Sequence, residues 1–336
     1  MNKRYAMVLV ALLVALVMMF VARERKRFFT NVGVVWTTEY HITYEANRDL
    51  GDSIQLIFNR IDNSVSPYNK VSLITSLNNN ATHRVDDYVK RLLEVSLEVN
   101  QASGGAFDPT VMPLVNAWGF GYKNGAMPTR AQLDSILSFV GMEKVRLHGD
   151  TLVKADPRVM LDFSSIAKGM ACDEIGRMLA RNGATSWLVE IGGEVVARGV
   201  NKRGTAWQVS VDLPSSQGDE VSHESALTLA MDSGAVATSG NYRKWREQGG
   251  KRFSHIIDPR SGESRVGTLL SVTVVTRDCM TADAWATACM VMGDQEVKRM
   301  MEHRNDLGVM TIVGDTLTGN LVVWSNRAFA NHVQAP

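Results

Sequence analysis

A stretch near the C-terminal end of the chain, from Thr281 to Gly293, has the pattern of an apolar helix that carries two polar side chains. Alanine, tryptophan, methionine, cysteine and valine fill most of its positions, whereas Asp283 and Thr287 stand four positions apart. Residues at that spacing lie one turn apart on the same face of an α-helix. Thr281 is a suitable N-cap, which would place the Asp283 carboxylate in the first turn, near the positive end of the helix dipole.

The Asp283 carboxylate has two interpretations. Burying it among alanine, tryptophan and methionine would cost free energy unless a cation met it. Carboxylate and hydroxyl oxygens are ligands that Mg²⁺ prefers, so Asp283 and Thr287 are candidate metal ligands. The alternative is an acidic residue that only favours the helix dipole, since such polar pairs are common on helices. This stretch alone leaves both interpretations open.

Strand and helix patterns are mixed along the rest of the chain. Apolar residues alternate with polar ones over Gly33–Glu45, and Trp187–Val196 resembles a buried strand interrupted by two glycines. Asp49–Val65 and Asp86–Gly104 have apolar residues at helical spacing. Because the patterns do not follow a regular βαβα order, the predicted fold class is α+β.

The N-terminus departs from this globular pattern. An uncharged run of roughly 18 residues, Tyr5–Ala22, is followed by the basic cluster Arg23-Glu-Arg-Lys-Arg27. Such a run is at the short end of what spans a bilayer, and its end makes a poor cleavage site. We therefore interpret residues 1–27 as an uncleaved signal anchor. Basic residues flank both sides, and the larger downstream cluster by itself favours a cytoplasmic body.

Net charge and cysteine spacing bear on two classes of function, nucleic-acid binding and zinc binding. The formal net charge is +1, which gives no argument for a nucleic-acid partner. The three cysteines, Cys172, Cys279 and Cys289, show no spacing that indicates a zinc site. Their apolar surroundings predict buried free thiols.

The segment Met160–Gly183 is a candidate phosphate site. A strand would end at Asp162, serine residues would cap, and a helix would follow. A strand that leads through small polar residues to a helix N-terminus is a geometry that receives phosphate. Lys168 would add a positive charge for phosphate oxygens, or would be a solvated helix residue. Farther along, the small polar segment Ala235–Tyr242 is suited to a loop over a ligand.

Five regions of the sequence together resemble one known family. They are Gly105-Ala-Phe-Asp-Pro-Thr110 with Trp118-Gly-Phe-Gly121, Asp162-Phe-Ser-Ser-Ile-Ala-Lys-Gly169, Glu190-Ile-Gly-Gly-Glu194, Ala237-Thr-Ser-Gly-Asn-Tyr242 with His255-Ile-Ile-Asp-Pro259, and Ala282-Asp-Ala-Trp-Ala-Thr287. In this order they are similar to the ApbE family, the FAD:protein FMN transferases, from about Val35 to Gly293. The resemblance implies one large ApbE-like, T-fold-related α+β domain over residues 28–336, behind the N-terminal anchor.

The resemblance also implies a reaction. An enzyme of this family cleaves FAD at its pyrophosphate with Mg²⁺, esterifies FMN to a threonine hydroxyl of a partner protein and releases AMP. Family partners are acceptor subunits of the sodium-translocating NADH:quinone reductase and of the Rnf-type complex. The family works on the periplasmic side of the inner membrane, so we expect the domain there. This expectation outweighs the basic residues after the apolar run, which by themselves favour a cytoplasmic body. Two other functions remain open, a Mg²⁺-dependent FAD pyrophosphatase and a non-catalytic flavin-binding membrane protein.

Single residues take roles from this resemblance. Asp283 and Thr287 resemble the family's Mg²⁺ ligands, with a further oxygen from the Ser165 region. His255 resembles the catalytic histidine that would accept the threonine proton. The positions that resemble FAD contacts are Tyr68, Ala106, Phe107, Asp108, Asp162, Lys168 and Ile256. On the residues alone, His255 would be structural, and Asp108 and Asp162 would be turn and cap residues.

The chain departs from the family pattern in three places. Val35-Trp-Thr37 stands where many members have Met-Gly-Thr, and the lipoprotein cysteine of many members is absent. Ser233-Gly-Ala-Val-Ala-Thr238 resembles the acceptor motif, but Val236 stands where the modified threonine should be. Because valine has no hydroxyl, we predict no self-flavinylation at this position.

Overall fold

A computed structural model describes residues 7, 12–13, 26–121, 127–214, 225–241, 245–248, 251–315 and 320–333. The expected anchor at residues 1–27 therefore lies almost entirely outside the described residues. Within them, none of the helices combines the length and the apolar character that a bilayer crossing requires.

Strands and helices are mixed along the described chain. In order, the elements are β1 (Arg27–Val35), β2 (Thr38–Ala46), α1 (Gly51–Val65), α2 (Leu73–Asn78), α3 (Asp87–Ala102), α4 (Met112–Ala117), α5 (Arg130–Leu137), the 3-10 turn Met142–Lys144, β3 (Val145–His148), β4 (Thr151–Lys154), α6 (Ala167–Arg181), β5 (Trp187–Ile191), β6 (Glu194–Arg198), β7 (Trp207–Asp212), β8 (Ser225–Met231), β9 (Ser233–Gly240), β10 (Trp245–Gln248), β11 (Lys251–Ser254), β12 (Leu269–Thr276), α7 (Cys279–Met292), α8 (Asp294–Met301), β13 (Gly308–Gly314), β14 (Leu321–Ser325) and α9 (Arg327–Ala330).

An antiparallel sheet of eight strands forms the centre of the fold. Its spatial order is β1-β2-β5-β6-β9-β12-β13-β14, and the pairs β3-β4, β7-β8 and β10-β11 form three small ribbons. The prediction of a mixed fold of strands and helices is confirmed. Because neighbouring strands are antiparallel, the start of each strand lies beside the end of the next one.

Residues along each central strand alternate between two hydrophobic clusters. On β9, Ala235 and Ala237 face the larger cluster, which includes α6 and α7, whereas Val236 faces the smaller cluster with β7 and β8. This is the period of two that a pleated strand imposes. Val236, at the acceptor-like position, is thereby 2% exposed. The larger cluster holds the two helices that carry the candidate site.

Two predictions of single strands were wrong, because both stretches are hairpins. Gly33–Glu45 lies across β1 and β2, which reverse at Trp36 and Thr37 with φ of 49° and 66°. Trp187–Val196 is β5 and β6, which reverse at Gly192-Gly193. A reversal through two residues with positive φ leaves the apolar alternation nearly intact, and Trp-Thr lacks the usual glycine or asparagine signal.

The elements around the site also differ from their predictions. Ala235–Tyr242 was expected to be a loop, but β9 runs to Gly240 because its small side chains fit between β6 and β12 beside α7. No regular strand ends at Asp162, where the chain makes only an isolated bridge at Met160. Helix α6 begins at Ala167, and its N-cap position is Ile166, without a side-chain cap from the serines.

Helix α7 begins earlier than predicted. Its N-cap is Asp278, whose carboxylate accepts a hydrogen bond from the Thr281 N–H, so Thr281 is not the cap. Asp283 consequently lies in the second turn, not the first. The cause is that Cys279 and Met280 are apolar and gave no sign that they were already helical. The three cysteines are free and buried, as predicted from their apolar surroundings.

A carboxylate of α6 supports the start of α7. Asp173 accepts hydrogen bonds from the Cys279 and Met280 N–H groups at 2.9 and 3.0 Å. Burial raises the pKa of Asp173 to about 6, against the lowering effect of those two donors. The folded protein therefore holds a proton there at a pH at which the unfolded chain has released it.

Stability should depend on pH through this group. Asp173 contributes its full protonation-linked stability below about pH 4, and that contribution, up to about 3 kcal/mol, is lost as the pH rises through 6. In Asp173→Asn this part of the pH dependence should disappear, as measured by urea unfolding near pH 4 and above pH 6. Asp87→Asn, at a carboxylate that is 96% exposed, is the control. An unchanged pH profile in Asp173→Asn would contradict the assignment.

Candidate active site

Asp283 and Thr287 lie where α7 meets the start of α6 and the end of β9. Asp283 is 2% exposed, and its Oδ2 accepts a hydrogen bond from the Gly169 N–H at 3.1 Å. One turn later, the Thr287 hydroxyl lies 3.4 Å from the Ser239 hydroxyl. Because Asp283 bonds the backbone of another helix and lies beyond the first turn of its own, the dipole does not account for its burial.

The contact between the two helices depends on the glycine at position 169. A Cβ atom there would lie 2.3 Å from the Cys279 carbonyl oxygen and 2.8 Å from the Met280 Cα. Only glycine permits this approach, since backbone atoms of α7 cannot yield as a flexible side chain can. The approach brings the Gly169 N–H, in the first turn of α6, within hydrogen-bonding distance of the Asp283 carboxylate.

Lys168 joins this carboxylate to a second one. Its ammonium forms an ion pair with Glu194 Oε1, and Glu194 is 3% exposed at the start of β6. Desolvation opposes the charge on Lys168, but the Asp283 and Glu194 carboxylates outweigh it and raise the pKa of Lys168. In the structure the Lys168 ammonium pairs with the Glu194 carboxylate, and the predicted contact of Lys168 with phosphate stays a prediction.

The two carboxylates carry more charge than one ammonium offsets. Burial raises the pKa of Glu194 to about 7 despite the opposing charge of Lys168. Burial likewise raises the pKa of Asp283, while Lys168 and the Gly169 N–H lower it. Glu194 Oε2 also has no hydrogen-bond partner among the residues that the structure describes. Such a site favours an additional cation.

The oxygen donors here fit a hard divalent metal ion. Asp283 supplies a carboxylate and Thr287 a hydroxyl, which are ligands that suit Mg²⁺. In the described part of the chain, no three His, Cys, Asp or Glu side chains form a group able to hold a metal ion. A metal held by Asp283 and Thr287 would keep positions open for phosphate oxygens, as Mg²⁺ in proteins commonly does.

The turn before α6 holds Ser165 and Asp162. Asp162 Oδ1 accepts hydrogen bonds from the Ser164 N–H and hydroxyl, so the Asp162 side chain organises this turn. Partial desolvation raises the pKa of the Tyr68 hydroxyl. The charge of Asp162 raises it further, so Tyr68 lies near Asp162. Ser165 lies in the same turn, in which the Ile166 N–H donates a hydrogen bond to the Phe163 carbonyl. The predicted roles of Tyr68, Asp162 and Ser165 stay predictions.

The loop with Ala106, Phe107 and Asp108 points its side chains into the protein. Ala106 and Phe107 are 1% and 2% exposed. Asp108 accepts hydrogen bonds from the Thr110 N–H and hydroxyl and from the Met142 N–H. Burial raises its pKa, against those donors. These residues can therefore meet a ligand mainly through their backbone, and their predicted FAD contacts stay predictions.

His255 lies in a loop that several side chains hold in place. Its ring forms a T-shaped pair with the Phe120 ring, with ring centroids 6.4 Å apart. Trp118, two positions before Phe120, donates through Nε1 to the Gly262 carbonyl at 2.8 Å. The neighbouring Ile256 is buried. The loop of residues 255–265 is thus fixed against the chain around Trp118, as a catalytic histidine requires.

Arg265 connects the His255 loop to the helix with Asp283 and Thr287. Its Nε donates to the Val291 carbonyl at 2.6 Å, at the C-terminal end of α7, and lies 3.5 Å from Asp258 Oδ2. The Arg265 N–H donates to the Ile256 carbonyl at 2.8 Å. A cation at a helix C-terminus satisfies carbonyls that have no partner within the helix.

Sequence reasoning missed three residues of this site. Glu194 was inside a recognised motif but gave no sign of its ion pair with Lys168, since they lie far apart in sequence. Ser239 was assigned to a loop, and Arg265 stood outside every motif. Glu194 and Ser239 both lie in regions that carry the resemblance, and those motifs were the signal that could have identified them.

A separate surface cleft of about 600 Å³ lies beside α1 and α3, with Glu174 of α6. Its charged groups pair among themselves, including Lys90 with Asp87 and Arg91 with Glu174. This self-paired lining of mixed charge indicates no class of ligand.

Known proteins resemble this chain over most of its length. The family model described as the ApbE family matches residues 36–311. A FAD:protein FMN transferase from Vibrio cholerae is 34% identical over 292 residues, which cover 84% of this chain and 86% of the relative. One from Haemophilus influenzae is 33% identical over 299 residues, covering 84% and 85%.

Solved structures give the same result. The flavin transferase ApbE from Vibrio cholerae has a TM-score of 0.80 and 31% identity, covering 91% of this chain and 99% of its own. The Pseudomonas stutzeri flavinyl transferase ApbE, in its apo form, has a TM-score of 0.81 and 29% identity, covering 93% and 98%. These likenesses extend over nearly the whole of each chain.

Proposed function

The chain belongs to the ApbE family and is a transferase, and we propose that it is a Mg²⁺-dependent FAD:protein FMN transferase. It would cleave the FAD pyrophosphate, esterify FMN to a threonine hydroxyl of a membrane redox-complex subunit and release AMP. The observation that carries this proposal is the buried Asp283 carboxylate, aligned with Thr287 and bound to the start of α6.

Asp283 and Thr287, with an oxygen from the Ser165 region, would hold Mg²⁺. When bound, Mg²⁺ would neutralise charge on the pyrophosphate oxygens. Glu194 forms an ion pair with the Lys168 ammonium. The positive charge of Lys168 also acts on Asp283, so it limits the repulsion between the two carboxylates.

His255 would accept the proton of the attacking threonine hydroxyl. The threonine oxygen then bonds to the phosphorus of the FMN part, the bond from that phosphorus to the oxygen bridging to AMP breaks, and AMP leaves. Imidazole is suited to accept a proton near neutral pH. Phe120 and the fixed loop of residues 255–265 would hold the ring in one orientation.

The proposal includes a location and partners. Residues 1–27 would anchor the chain in the inner membrane, with the domain on the periplasmic side. The acceptor would be a subunit of a sodium-translocating NADH:quinone reductase or of an Rnf-type complex. These points are supported by the resemblance to the family and by the apolar run Tyr5–Ala22.

The proposed reaction is tested by incubating the full chain with FAD, Mg²⁺ and a candidate acceptor subunit. A mass gain of one FMN on the acceptor, with AMP in solution, would support the transferase. Free FMN and AMP without acceptor gain would identify a pyrophosphatase, and intact FAD would identify a non-catalytic flavin-binding protein. Omission of Mg²⁺ and addition of a chelator should abolish turnover if the metal proposal is right.

Arg265 provides a prediction about positioning. In Arg265→Gln the His255 loop loses its ionic contact with Asp258 and its strong donor to the end of α7, so the turnover rate should fall about tenfold or more. FAD affinity, measured by fluorescence titration, should change little. Arg130→Gln is the matched control, because Arg130 contacts the same loop at Glu263 but does not reach α7. Equal turnover rates in both variants would contradict the positioning role.

A further inference from the structure

One end of the central sheet presents a cluster of exposed basic residues, here called the basic end. Its members are Lys26, Arg27, Arg48, Arg181, Arg198, Lys202 and Arg203. They come from the start of β1, the chain after β2, the end of α6 and the end of β6. The strand register brings these termini together, since Arg27 pairs with Ala46 and Trp187 pairs with both Tyr44 and Arg198.

Contacts confirm that the basic end is one surface. Lys26 Nζ donates to the Gly183 carbonyl at 2.7 Å, just after α6. A guanidinium nitrogen of Arg48 donates to Asn182 Oδ1 at 3.2 Å. The Arg198 guanidinium carbon lies 5.4 Å from the centroid of the Trp187 ring. Residues from four separate parts of the chain therefore share this surface.

The positive charge of the basic end is not neutralised within the described structure. Every ion pair among the described residues joins other side chains, and none of the seven basic residues takes part in one. The nearby carboxylates are fewer: Glu45 accepts from Thr185, Asp49 accepts from Tyr44, and Asp232 follows β8. Positive charge is thus in excess at this surface.

The basic end lies opposite the candidate active site. Strand β6 begins at Glu194, beside Lys168, and ends at Arg198, roughly 13 Å away along the strand. Helix α6 likewise begins next to Asp283 and ends at Arg181, roughly 20 Å away along the helix. The basic end is also where the chain enters the domain, because Lys26 and Arg27 are the last residues of the basic cluster that follows the apolar run.

We infer that the basic end rests on a bilayer surface with anionic phospholipid headgroups, so that the active site faces away from the membrane. Basic residues close to an anionic surface each strengthen binding by about fivefold, and this attraction falls off within a Debye length. The inference rests on the proposed membrane attachment and adds the orientation of the domain. It does not depend on the transfer chemistry.

The orientation is measured by fluorescence on the full chain in vesicles. A cysteine at the exposed Ala180, at the end of α6, can be labelled selectively because the three native cysteines are buried. A control cysteine replaces Val266, which is 64% exposed at the opposite end of the sheet. Vesicles of phosphatidylcholine, with or without phosphatidylglycerol, carry a quencher on their headgroups. Flotation first shows that each protein is bound to the vesicles.

We expect strong quenching at Ala180→Cys and weak quenching at Val266→Cys in anionic vesicles. Quenching at Ala180→Cys should fall in neutral vesicles and in high salt. It should also fall when Arg48, Arg181 and Arg198 are replaced by glutamate. The matched control replaces Arg84, Arg146 and Arg299 by glutamate, which changes net charge equally and should leave quenching unchanged.

Three results would overturn the inference: equal quenching at Ala180→Cys in neutral and anionic vesicles, equal effects of the two triple variants, or stronger quenching at Val266→Cys. Transfer of FMN in detergent should be unaffected by the Arg48, Arg181 and Arg198 replacements. Orientation without FMN transfer would contradict the proposed function alone. Transfer without the orientation would contradict this inference alone.

Discussion

Replacing Asp283 by asparagine is expected to lower kcat/KM for FMN transfer by about a thousandfold, the scale of loss seen when a central electrostatic contact at a reacting group is removed. Asparagine keeps the shape and can still accept the hydrogen bond from the Gly169 N–H. It removes the charge that would hold Mg²⁺. The fold should survive, because Lys168 retains its ion pair with Glu194.

Two measurements separate the metal role of Asp283 from a structural one. Binding of Mn²⁺, followed by its electron spin resonance signal, should be lost in Asp283→Asn, while the thermal unfolding temperature changes little. Thr287→Ser, which keeps a hydroxyl at the second proposed ligand, should retain most of both metal binding and turnover. Wild-type turnover in Asp283→Asn would rule out this carboxylate as a metal ligand.

Replacing His255 by glutamine should reduce the rate of transfer by roughly 10²- to 10⁴-fold, the usual contribution of a general base. Glutamine preserves polarity and much of the side-chain length. The His255 and Phe120 rings form a T-shaped pair, and other residues of the loop fix its backbone. FAD affinity should therefore stay within a few-fold of the wild-type value.

The pH profile distinguishes a base from a structural histidine. In wild type, the rate of transfer should rise with pH as the base loses its proton, and in His255→Gln that limb should be absent. His41→Gln is the matched control, because His41 is an exposed histidine that pairs with Glu190 on the neighbouring strand. A residual rise with the wild-type shape in His255→Gln would assign the proton transfer to another group.

Local spacing was enough to predict that Asp283 and Thr287 lie on one face of a helix. Asp283 and Thr287 belong to one helix, and four positions on a helix always place two side chains on the same face. The structure retains that relation although α7 begins earlier than predicted. Features set within a few residues of each other can be predicted from sequence for this reason.

Contacts between distant segments could not be predicted in the same way. Lys168 meets Glu194 only because α6 packs across the sheet beside β6, and Arg265 reaches Val291 because a loop returns to the end of α7. Neither relation has a period or a spacing in the sequence. The close approach at Gly169 is also a tertiary property, since nothing near it in sequence requires a glycine.

The roles of two aspartates show what a resemblance can and cannot supply. Asp108 and Asp162 were predicted from the resemblance to contact FAD, yet both carboxylates accept hydrogen bonds within their own turns. Their side chains therefore fit the simpler interpretation as turn residues. Both carboxylate oxygens of Asp108 accept hydrogen bonds, Oδ1 from Thr110 and Oδ2 from the Met142 N–H. At Asp162, among the described residues, only Oδ1 accepts, from Ser164, so a contact with FAD would use Oδ2 or the backbone.

The ratio of AMP released to FMN attached tests the proposed transfer most directly. The full chain is incubated with FAD, Mg²⁺ and an acceptor subunit, AMP is quantified by chromatography, and attached FMN is located by fragmentation of the acceptor peptide. We predict one AMP for each FMN, with FMN ester-linked to a threonine and neither product formed by Asp283→Asn. AMP release without attached FMN, or transfer unaffected by Asp283→Asn, would contradict the proposed mechanism.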